Sequence, residues 1–301
     1  MTAESSVVYA DGPWKHRDIH ANGTRFHVVE AGDGPLILLL HGFPQLWWMW
    51  RHQIPALADA GFRVVAADLR GYGGSDKPPR GYDAPTLAAD IAGLIRALGE
   101  RDATVVGHDW GGFLGWVAAA LHPDVVRQLV TLSIAHPLQM RGALLGSRKQ
   151  AAASRYLFAF QAPWLSERRL LRDDAALVAD LVLAWAGPQW RDADAVARYR
   201  AAIALPGVAH SALEYYRWAV RSSAKPEGAR LARTLREPVA APVLQLHGTL
   251  DGCVLLETAR GGEQYTSGAH RLLEVPGVGH FLPEEAPELV TEEVRAWASA
   301  G

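Results

Sequence analysis

The chain has 301 residues, 49% of them apolar and 21% charged, which excludes a disordered chain and allows either one large α/β unit or two domains. Its formal net charge of −2 gives no electrostatic basis for binding nucleic acid or an anionic membrane, so we expect neither partner. The longest apolar run near the start, residues 36–40, is far too short to span a bilayer.

Strands and helices alternate up to about residue 136. Continuous apolar strands alternating with helices predict a mostly parallel sheet that helices cover on both faces. We predict strands at 15–21, 25–30, 36–40, 62–67, 103–106 and 127–134, and helices within 50–60, near 85–99 and from residue 112 onward.

The pattern changes between about residues 137 and 236, where strand signals disappear and apolar residues recur at helical spacing, as at Leu177, Leu181 and Trp185. We therefore predict an α/β core, residues 1–136 and 237–301, with an all-helical cap, residues 137–236, inserted after the sixth core strand. In the returning part we predict strands at 242–246 and 271–275 and helices near 257–265 and 286–299.

The most informative motif is Gly107-His108-Asp109-Trp110-Gly111, which lies between an apolar strand and a helical stretch. This is the context of a nucleophile elbow, usually written G-x-S-x-G, but Asp109 stands at the serine position. A serine that attacks a saturated carbon would form an ether, which water does not readily cleave, whereas a carboxylate forms an ester that water cleaves in a second step. The elbow therefore indicates hydrolysis at an epoxide or a carbon–halogen bond through a covalent intermediate.

Two further candidate catalytic groups follow Asp109 along the chain. They come in the order expected after such an elbow, in which the acid follows the nucleophile and the histidine follows the acid. Asp251 comes just after the returning strand, and His280 lies on the loop after the last strand. Catalytic groups in parallel sheets gather at the carboxyl edge of the strands, where both residues are expected. The alternatives are a turn-forming role for Asp251 before Gly252 and a surface-loop role for His280. We predict that Asp109, Asp251 and His280 form a catalytic triad.

The run His41-Gly42-Phe43-Pro44 directly follows the apolar strand at 36–40. Such a turn presents the backbone N–H of Phe43 toward the elbow, and with the N–H of Trp110 it would form an oxyanion hole. The alternative is a turn that merely ends the strand. The residues that we expect to line the substrate pocket are His41, Pro44, Trp110 and Phe281.

The single cysteine, Cys253, excludes an intramolecular disulfide and fits a reducing compartment. The first six residues lack the basic and apolar regions of a secretory signal, so we expect a cytoplasmic protein. The histidines other than His280 and His41 show no metal-ligand spacing, and we expect no metal site.

With these motifs in place, the chain resembles the soluble, bacterial-type epoxide hydrolases over nearly its full length, which implies that its core has the α/β-hydrolase fold. Two cap segments also match that family: Tyr156 stands five residues before Gln161, and Tyr216 lies in a Leu-Glu-Tyr-Tyr-Arg run. In the family, one tyrosine from each segment hydrogen-bonds the epoxide oxygen. The alternative for a cap tyrosine is amphipathic packing, which we expect for Tyr199 and Tyr215.

The resemblance implies a mechanism in which Tyr156 and Tyr216 bind the epoxide oxygen while Asp109 attacks a ring carbon. His280, oriented by Asp251, then activates the water that hydrolyses the ester, and the product is a vicinal diol. The partners that the resemblance implies are a small-molecule epoxide and water, without a cofactor, and it leaves a homo-oligomer open.

Haloalkane dehalogenases are the nearest alternative, because they share the aspartate elbow and the following tryptophan. They bind the halide with that tryptophan and a second donor, often at the position after His-Gly. Here that position is Phe43, whose side chain cannot donate. The cap tryptophans that could replace this donor are Trp164, Trp185, Trp190 and Trp218.

The sequence disfavours two further classes of protein. Fluoroacetate-type dehalogenases carry an arginine after the nucleophile, where this chain has Trp110. A non-catalytic receptor or scaffold of the same fold would not need the complete set of catalytic parts. Diol release distinguishes an enzyme from a binding protein, and halide release distinguishes the two enzyme classes.

Overall fold

The computed structural model describes residues 3–300, and the strands within that range form one sheet of eight. All eight predicted strands lie within two residues of the observed bounds. The strands are β1 (Lys15–Ala21), β2 (Thr24–Ala31), β3 (Leu36–Leu40), β4 (Arg63–Ala67), β5 (Ala103–His108), β6 (Val126–Leu132), β7 (Val243–Gly248) and β8 (His270–Val275).

The strand order is β1-β2-β4-β3-β5-β6-β7-β8. β1 pairs antiparallel with β2 and β2 antiparallel with β4, whereas every pair from β4 to β8 is parallel. The central strands β3 and β5 are buried along their whole length, which explains their continuous apolar sequence. The carboxyl ends of β3, β5, β7 and β8 therefore meet at one edge of the sheet, as predicted.

Helices cover the sheet, and helices also occupy the chain between β6 and β7. No strand lies in that part of the described range, so the insertion after the sixth strand is helical, as predicted. The helices are α1 (Ala3–Val8), α2 (Gln53–Asp59), α3 (Ala84–Ala97), α4 (Trp110–Leu121), α5 (Pro137–Gly146), α6 (Arg148–Ala153), α7 (Tyr156–Ala159), α8 (Leu165–Trp185), α9 (Ala193–Ile203), α10 (Val208–Ser222), α11 (Pro226–Thr234), α12 (Leu256–Ala259), α13 (Leu282–Glu285) and α14 (Pro287–Ser299), with 3-10 turns at Trp47–Trp50 and Gly262–Tyr265.

Two helices differ from the expected regular form. α8 is interrupted at residues 172–175, where the backbone leaves the helical conformation. The helix predicted near 257–265 is divided into α12 and a 3-10 turn, because Gly261 between them has a positive φ of 87° that ends a right-handed helix. Across residues 3–300, every helix is too short or too polar to cross a membrane.

Candidate active site

The turn between β5 and α4 holds Asp109 in an unusual backbone conformation, with φ 50° and ψ −115°. The two glycines of the motif permit this turn, because a Cβ on Gly107 would collide with the backbone of Gly111, and one on Gly111 would collide with the carbonyl of Leu40. A non-glycine residue with positive φ is costly unless its surroundings fix it. The elbow therefore holds the Asp109 carboxylate at the carboxyl edge of the sheet.

Backbone amides face this carboxylate. Phe43 N donates to Asp109 Oδ1 at 2.9 Å, and the backbone amide of Trp110 also acts to lower the pKa of the same carboxyl. A Cβ at Gly42 would overlap the Asp109 side chain, so a glycine is needed for the turn after β3 to come this close. Burial raises the pKa of Asp109 above its ordinary value, although His280 and the two amides oppose that shift.

The loops after β7 and β8 bring the other two predicted triad residues to Asp109. His280 Nδ1 donates to Asp251 Oδ2 at 2.9 Å, and His280 Nε2 lies 3.8 Å from Asp109 Oδ2. The second oxygen of Asp251 accepts from the amides of Cys253 at 2.8 Å and Val254 at 2.9 Å. Asp251 is thus fixed by its own loop and orients the imidazole so that Nε2 faces Asp109.

Opposing effects act on the His280 imidazole. Burial lowers its pKa, but the carboxylates of Asp251 and Asp109 raise the pKa by more, so the net shift is upward from the ordinary value. The negative charge of the neighbouring Asp109 therefore favours the protonated form of His280.

A cavity of about 450 Å³ opens beside Asp109 and is also lined by Trp110, Tyr156 and Tyr216. Its volume is that of a small-molecule site. Most of its wall is apolar and comes from α5, α7, α10 and α11 of the helical insertion, including Leu138, Leu144, Leu157, Trp218 and Leu231.

The two predicted tyrosines lie close together in this cavity, with ring centroids 5.8 Å apart. Burial raises the pKa of both phenols well above the ordinary value, so both are protonated at neutral pH. The hydroxyl of Tyr156 lies 3.2 Å from Cys253 Sγ. Tyr215 instead donates its hydroxyl to the carbonyl of Arg70 at 2.7 Å, which fits the packing role expected for it.

Three residues predicted to line the pocket lie outside this cavity: His41, Pro44 and Phe281. The turn after β3 presents its backbone to Asp109, while the buried His41 ring points back into the core and accepts from Leu69 N at 3.0 Å. Phe281 is fully buried and packs against the rings of His108 and His280. Trp110 does line the cavity, and a role of the other three side chains in binding substrate stays a prediction.

Cys253 is a site residue that the sequence motifs do not reveal. The sequence supports it only as an indicator of compartment, yet it is buried between Asp251, to which its amide donates, and Tyr156. Its position two residues after the acid is the only sequence signal that could have indicated this. Among residues 3–300, no cluster of three or more histidine, cysteine or acidic side chains is arranged to hold a metal ion.

Comparison with known proteins agrees with this architecture. A family model described as alpha/beta hydrolase fold matches residues 35–287. The chain belongs to the α/β-hydrolase family. It is 34% identical to the AB hydrolase superfamily protein YfhM of Bacillus subtilis (strain 168), over 91% of this chain and 94% of that protein.

Proteins named as epoxide hydrolases are among its relatives. The chain is 32% identical to Epoxide hydrolase A of Mycobacterium tuberculosis, over 91% of this chain and 94% of that protein. The crystal structure of Epoxide Hydrolase A from Mycobacterium thermoresistibile superimposes with a TM-score of 0.82 at 29% identity, covering 95% of this chain and 98% of that one. The fold and the family predicted from the sequence are confirmed.

Proposed function

We propose that this protein hydrolyses epoxides to vicinal diols through an ester on Asp109. The observation that carries the proposal is a carboxylate at the elbow, 2.9 Å from the amide of Phe43, in a cavity that Tyr156 and Tyr216 also line. The relatives named as epoxide hydrolases support the same reaction.

In the first step, the phenols of Tyr156 and Tyr216 donate hydrogen bonds to the epoxide oxygen, and Asp109 attacks a ring carbon. The C–O bond of the ring breaks, and one phenol gives its proton to the forming alkoxide. Protonated phenols suit this task because burial raises the pKa of both tyrosines. In this proposal residues 137–236 act as a cap that supplies the tyrosines, and residues 1–136 and 237–301 form the core that supplies the triad.

In the second step, His280 takes a proton from water, and the resulting hydroxide attacks the ester carbonyl of Asp109. The amides of Phe43 and Trp110 stabilise the oxyanion that forms. Collapse of this intermediate releases the diol and restores the carboxylate, and the proton on His280 returns to the phenolate formed in the first step.

The electrostatics of the site suit this order of events. Burial has the largest effect on the pKa of His280 and lowers it. Asp251 raises this pKa, and the Asp109 carboxylate raises it further. Esterification neutralises Asp109, so the pKa of His280 falls in the intermediate. The imidazole therefore becomes neutral, as a general base must be, in the step that uses it.

Halide displacement is the second candidate, and one observation favours it. Trp110 Nε1 is buried and has no hydrogen-bond partner among the described residues, so it could donate to a halide ion. Trp218 lines the cavity and could supply the second donor that Phe43 lacks. Two buried phenols are unnecessary for a halide, however, because a halide leaves as a weak base.

The deciding experiment compares products from one preparation of the enzyme. Styrene oxide, a trans-disubstituted epoxide, a fatty-acid epoxide and 1-bromobutane are supplied separately, and diol and bromide are measured. We expect diol from the epoxides, with a preference for apolar substrates because the cavity wall is mainly apolar. Bromide release that is faster than diol formation would instead establish the dehalogenase.

We also propose that the protein works in the cytoplasm on a small-molecule substrate, without a nucleic-acid or membrane partner. Cys253 is the one cysteine of the sequence and is buried as a free thiol, which suits a reducing compartment. Fractionation of the source cells with an antibody to the protein tests the location.

A further inference from the structure

One carboxylate holds the loop that carries His280. Glu285 Oε2 accepts from Gly279 N at 2.7 Å, and Glu285 Oε1 accepts from Phe281 N at 2.8 Å. These amides belong to the residues immediately before and after His280. Glu285 therefore fixes the backbone on both sides of the histidine.

The same carboxylate also reaches the helical insertion. Glu285 Oε2 accepts a further hydrogen bond from Gly187 N at 2.8 Å, just beyond the end of α8. His280 N donates to the carbonyl of Trp185 at 2.9 Å, so the histidine itself is bonded to the same segment. The histidine loop and the end of α8 are thus joined by hydrogen bonds, and each segment donates one of them.

The backbones of the histidine loop and the end of α8 are in direct contact at Gly279 and Gly187. A Cβ on Gly279 would collide with the amide nitrogen of Gly187, and a Cβ on Gly187 would lie 2.7 Å from Glu285 Oε2. Only glycine at both positions allows the backbones to approach until one carboxylate can bridge them. The bridge formed by Glu285, Gly187, Gly279 and Phe281 is called the loop bridge below.

We propose that Glu285 is a positioning residue that sets the orientation of His280 and couples it to the helical insertion through the loop bridge. Hydrogen bonds to an ionised carboxylate are stronger than those between neutral groups, so three of them restrain this loop effectively. The proposal rests on the proposed function, because the step that it serves is hydrolysis of the Asp109 ester. Attack by Asp109 needs no base, so Glu285 acts only on the second step.

The charge of Glu285 also reaches the imidazole. It is among the carboxylates that raise the pKa of His280, with a smaller effect than burial, Asp251 or Asp109. Loss of this charge therefore lowers the pKa of His280. The titratable groups that face His280 are Asp251 after β7, Asp109 after β5, Glu285 in α13, His108 in β5 and His247 in β7.

The first test is Glu285→Gln, which keeps the size of the side chain but removes its charge and places an amide NH2 where an acceptor is needed. We expect alkylation of Asp109 by styrene oxide at the wild-type rate and ester hydrolysis about 10- to 100-fold slower. Intact mass spectrometry would then show alkyl-enzyme accumulating in the variant. Glu288→Gln, which removes an exposed carboxylate three residues further on, is the matched control and should behave as wild type.

A second variant disturbs the loop bridge from the other side, and it applies even if Glu285→Gln does not fold. Gly187→Ala places a methyl group against Glu285 Oε2 and should also slow ester hydrolysis selectively. Its control is Gly142→Ala in α5, where an added Cβ meets open space.

A third measurement needs no substrate. NMR titration of the 15N-labelled imidazole of His280, assigned with a His280→Gln variant, should give a lower pKa in Glu285→Gln than in wild type or Glu288→Gln. An unchanged pKa together with unchanged ester hydrolysis would overturn the proposal, as would equal slowing of alkylation and hydrolysis. If the wild-type protein forms no alkyl-enzyme, the proposed function fails, while the titration still tests the effect of Glu285 on His280.

Discussion

His280 Nε2 lies 3.8 Å from Asp109 Oδ2, which is too far for a hydrogen bond but close enough for each charge to affect the other. In a serine hydrolase the histidine must bond the nucleophile to take its proton, whereas a carboxylate attacks without a base. The separation therefore fits a histidine that acts on water after the nucleophile has already reacted.

Replacing Asp109 with alanine should lower epoxide turnover by several orders of magnitude while the protein stays folded, because the group that forms the ester is gone. The thermal unfolding midpoint serves as the control for folding. An independent check is a single turnover of the wild-type enzyme in H2-18O. The label should appear in Asp109 and be absent from the diol, and a labelled diol would mean that water attacks the epoxide directly.

Replacing His280 with glutamine should stop the reaction after its first step. Asp109 would still open the epoxide, but no base would activate the hydrolytic water. Intact mass spectrometry after mixing with styrene oxide should show a protein heavier by one substrate molecule, and peptide mapping should locate the addition at Asp109. An inactive variant that remains unmodified would contradict the role given to His280.

The two steps should respond differently to pH. Alkylation needs ionised Asp109, and burial raises the pKa of that carboxyl, so alkylation should be lost on acidification at a higher pH than for an ordinary aspartate. Ester hydrolysis needs neutral His280 and should increase as the pH rises. Because esterification removes the Asp109 charge that raises the pKa of His280, the hydrolysis profile should titrate below the pKa of His280 in the free enzyme.

Single-turnover decay of the alkyl-enzyme, measured at several pH values, gives the hydrolysis profile, and NMR of the free enzyme gives the reference pKa. A hydrolysis profile that titrates at or above this reference would show that Asp109 and His280 are not coupled as described.

Replacing both Tyr156 and Tyr216 with phenylalanine should nearly abolish epoxide opening, and each single change should weaken it. An epoxide opens to a strongly basic alkoxide that needs a proton donor, and the two phenols are the donors we propose. Rapid mixing should show that alkylation of Asp109 slows, since ester hydrolysis does not involve the phenols. Wild-type opening by the double variant would refute this role, and unchanged bromide release would favour the halide reaction.

The convergence of Asp109, Asp251 and His280 could be predicted from the sequence, because each follows a strand of a parallel sheet whose carboxyl ends share one edge. Their chemical roles stay predictions. The orientation of side chains in the turn after β3 could not be predicted from the sequence, and the buried His41 ring accepts from Leu69 N instead of lining the cavity. In that turn the backbone faces the site, as the motif predicts, but the motif does not specify where each side chain points.

Contacts between the helical insertion and the core could not be predicted from the sequence either. The contact between Tyr156 and Cys253 joins residues 97 positions apart, and that between Gly187 and Glu285 spans 98 positions. Such contacts depend on how the insertion packs on the sheet, which local propensity and periodicity do not specify. The loop bridge and the thiol beside Tyr156 could thus be found only in three dimensions.

The apolar wall of the cavity comes largely from the helical insertion, whereas Asp109 is fixed by strands and tight turns of the sheet. Substrate range therefore depends mainly on the insertion, whereas the triad depends on the core, and only Tyr156 and Tyr216 would bring reaction chemistry into the insertion. Substitutions at wall positions such as Leu144 or Leu231 can reshape what enters without disturbing the elbow. A mutant library confined to the apolar wall positions within residues 137–234, with Tyr156, Tyr216 and Gly187 left unchanged, should accordingly shift regio- and enantiopreference while most members keep their turnover, which makes this scaffold suitable for directed evolution of selectivity.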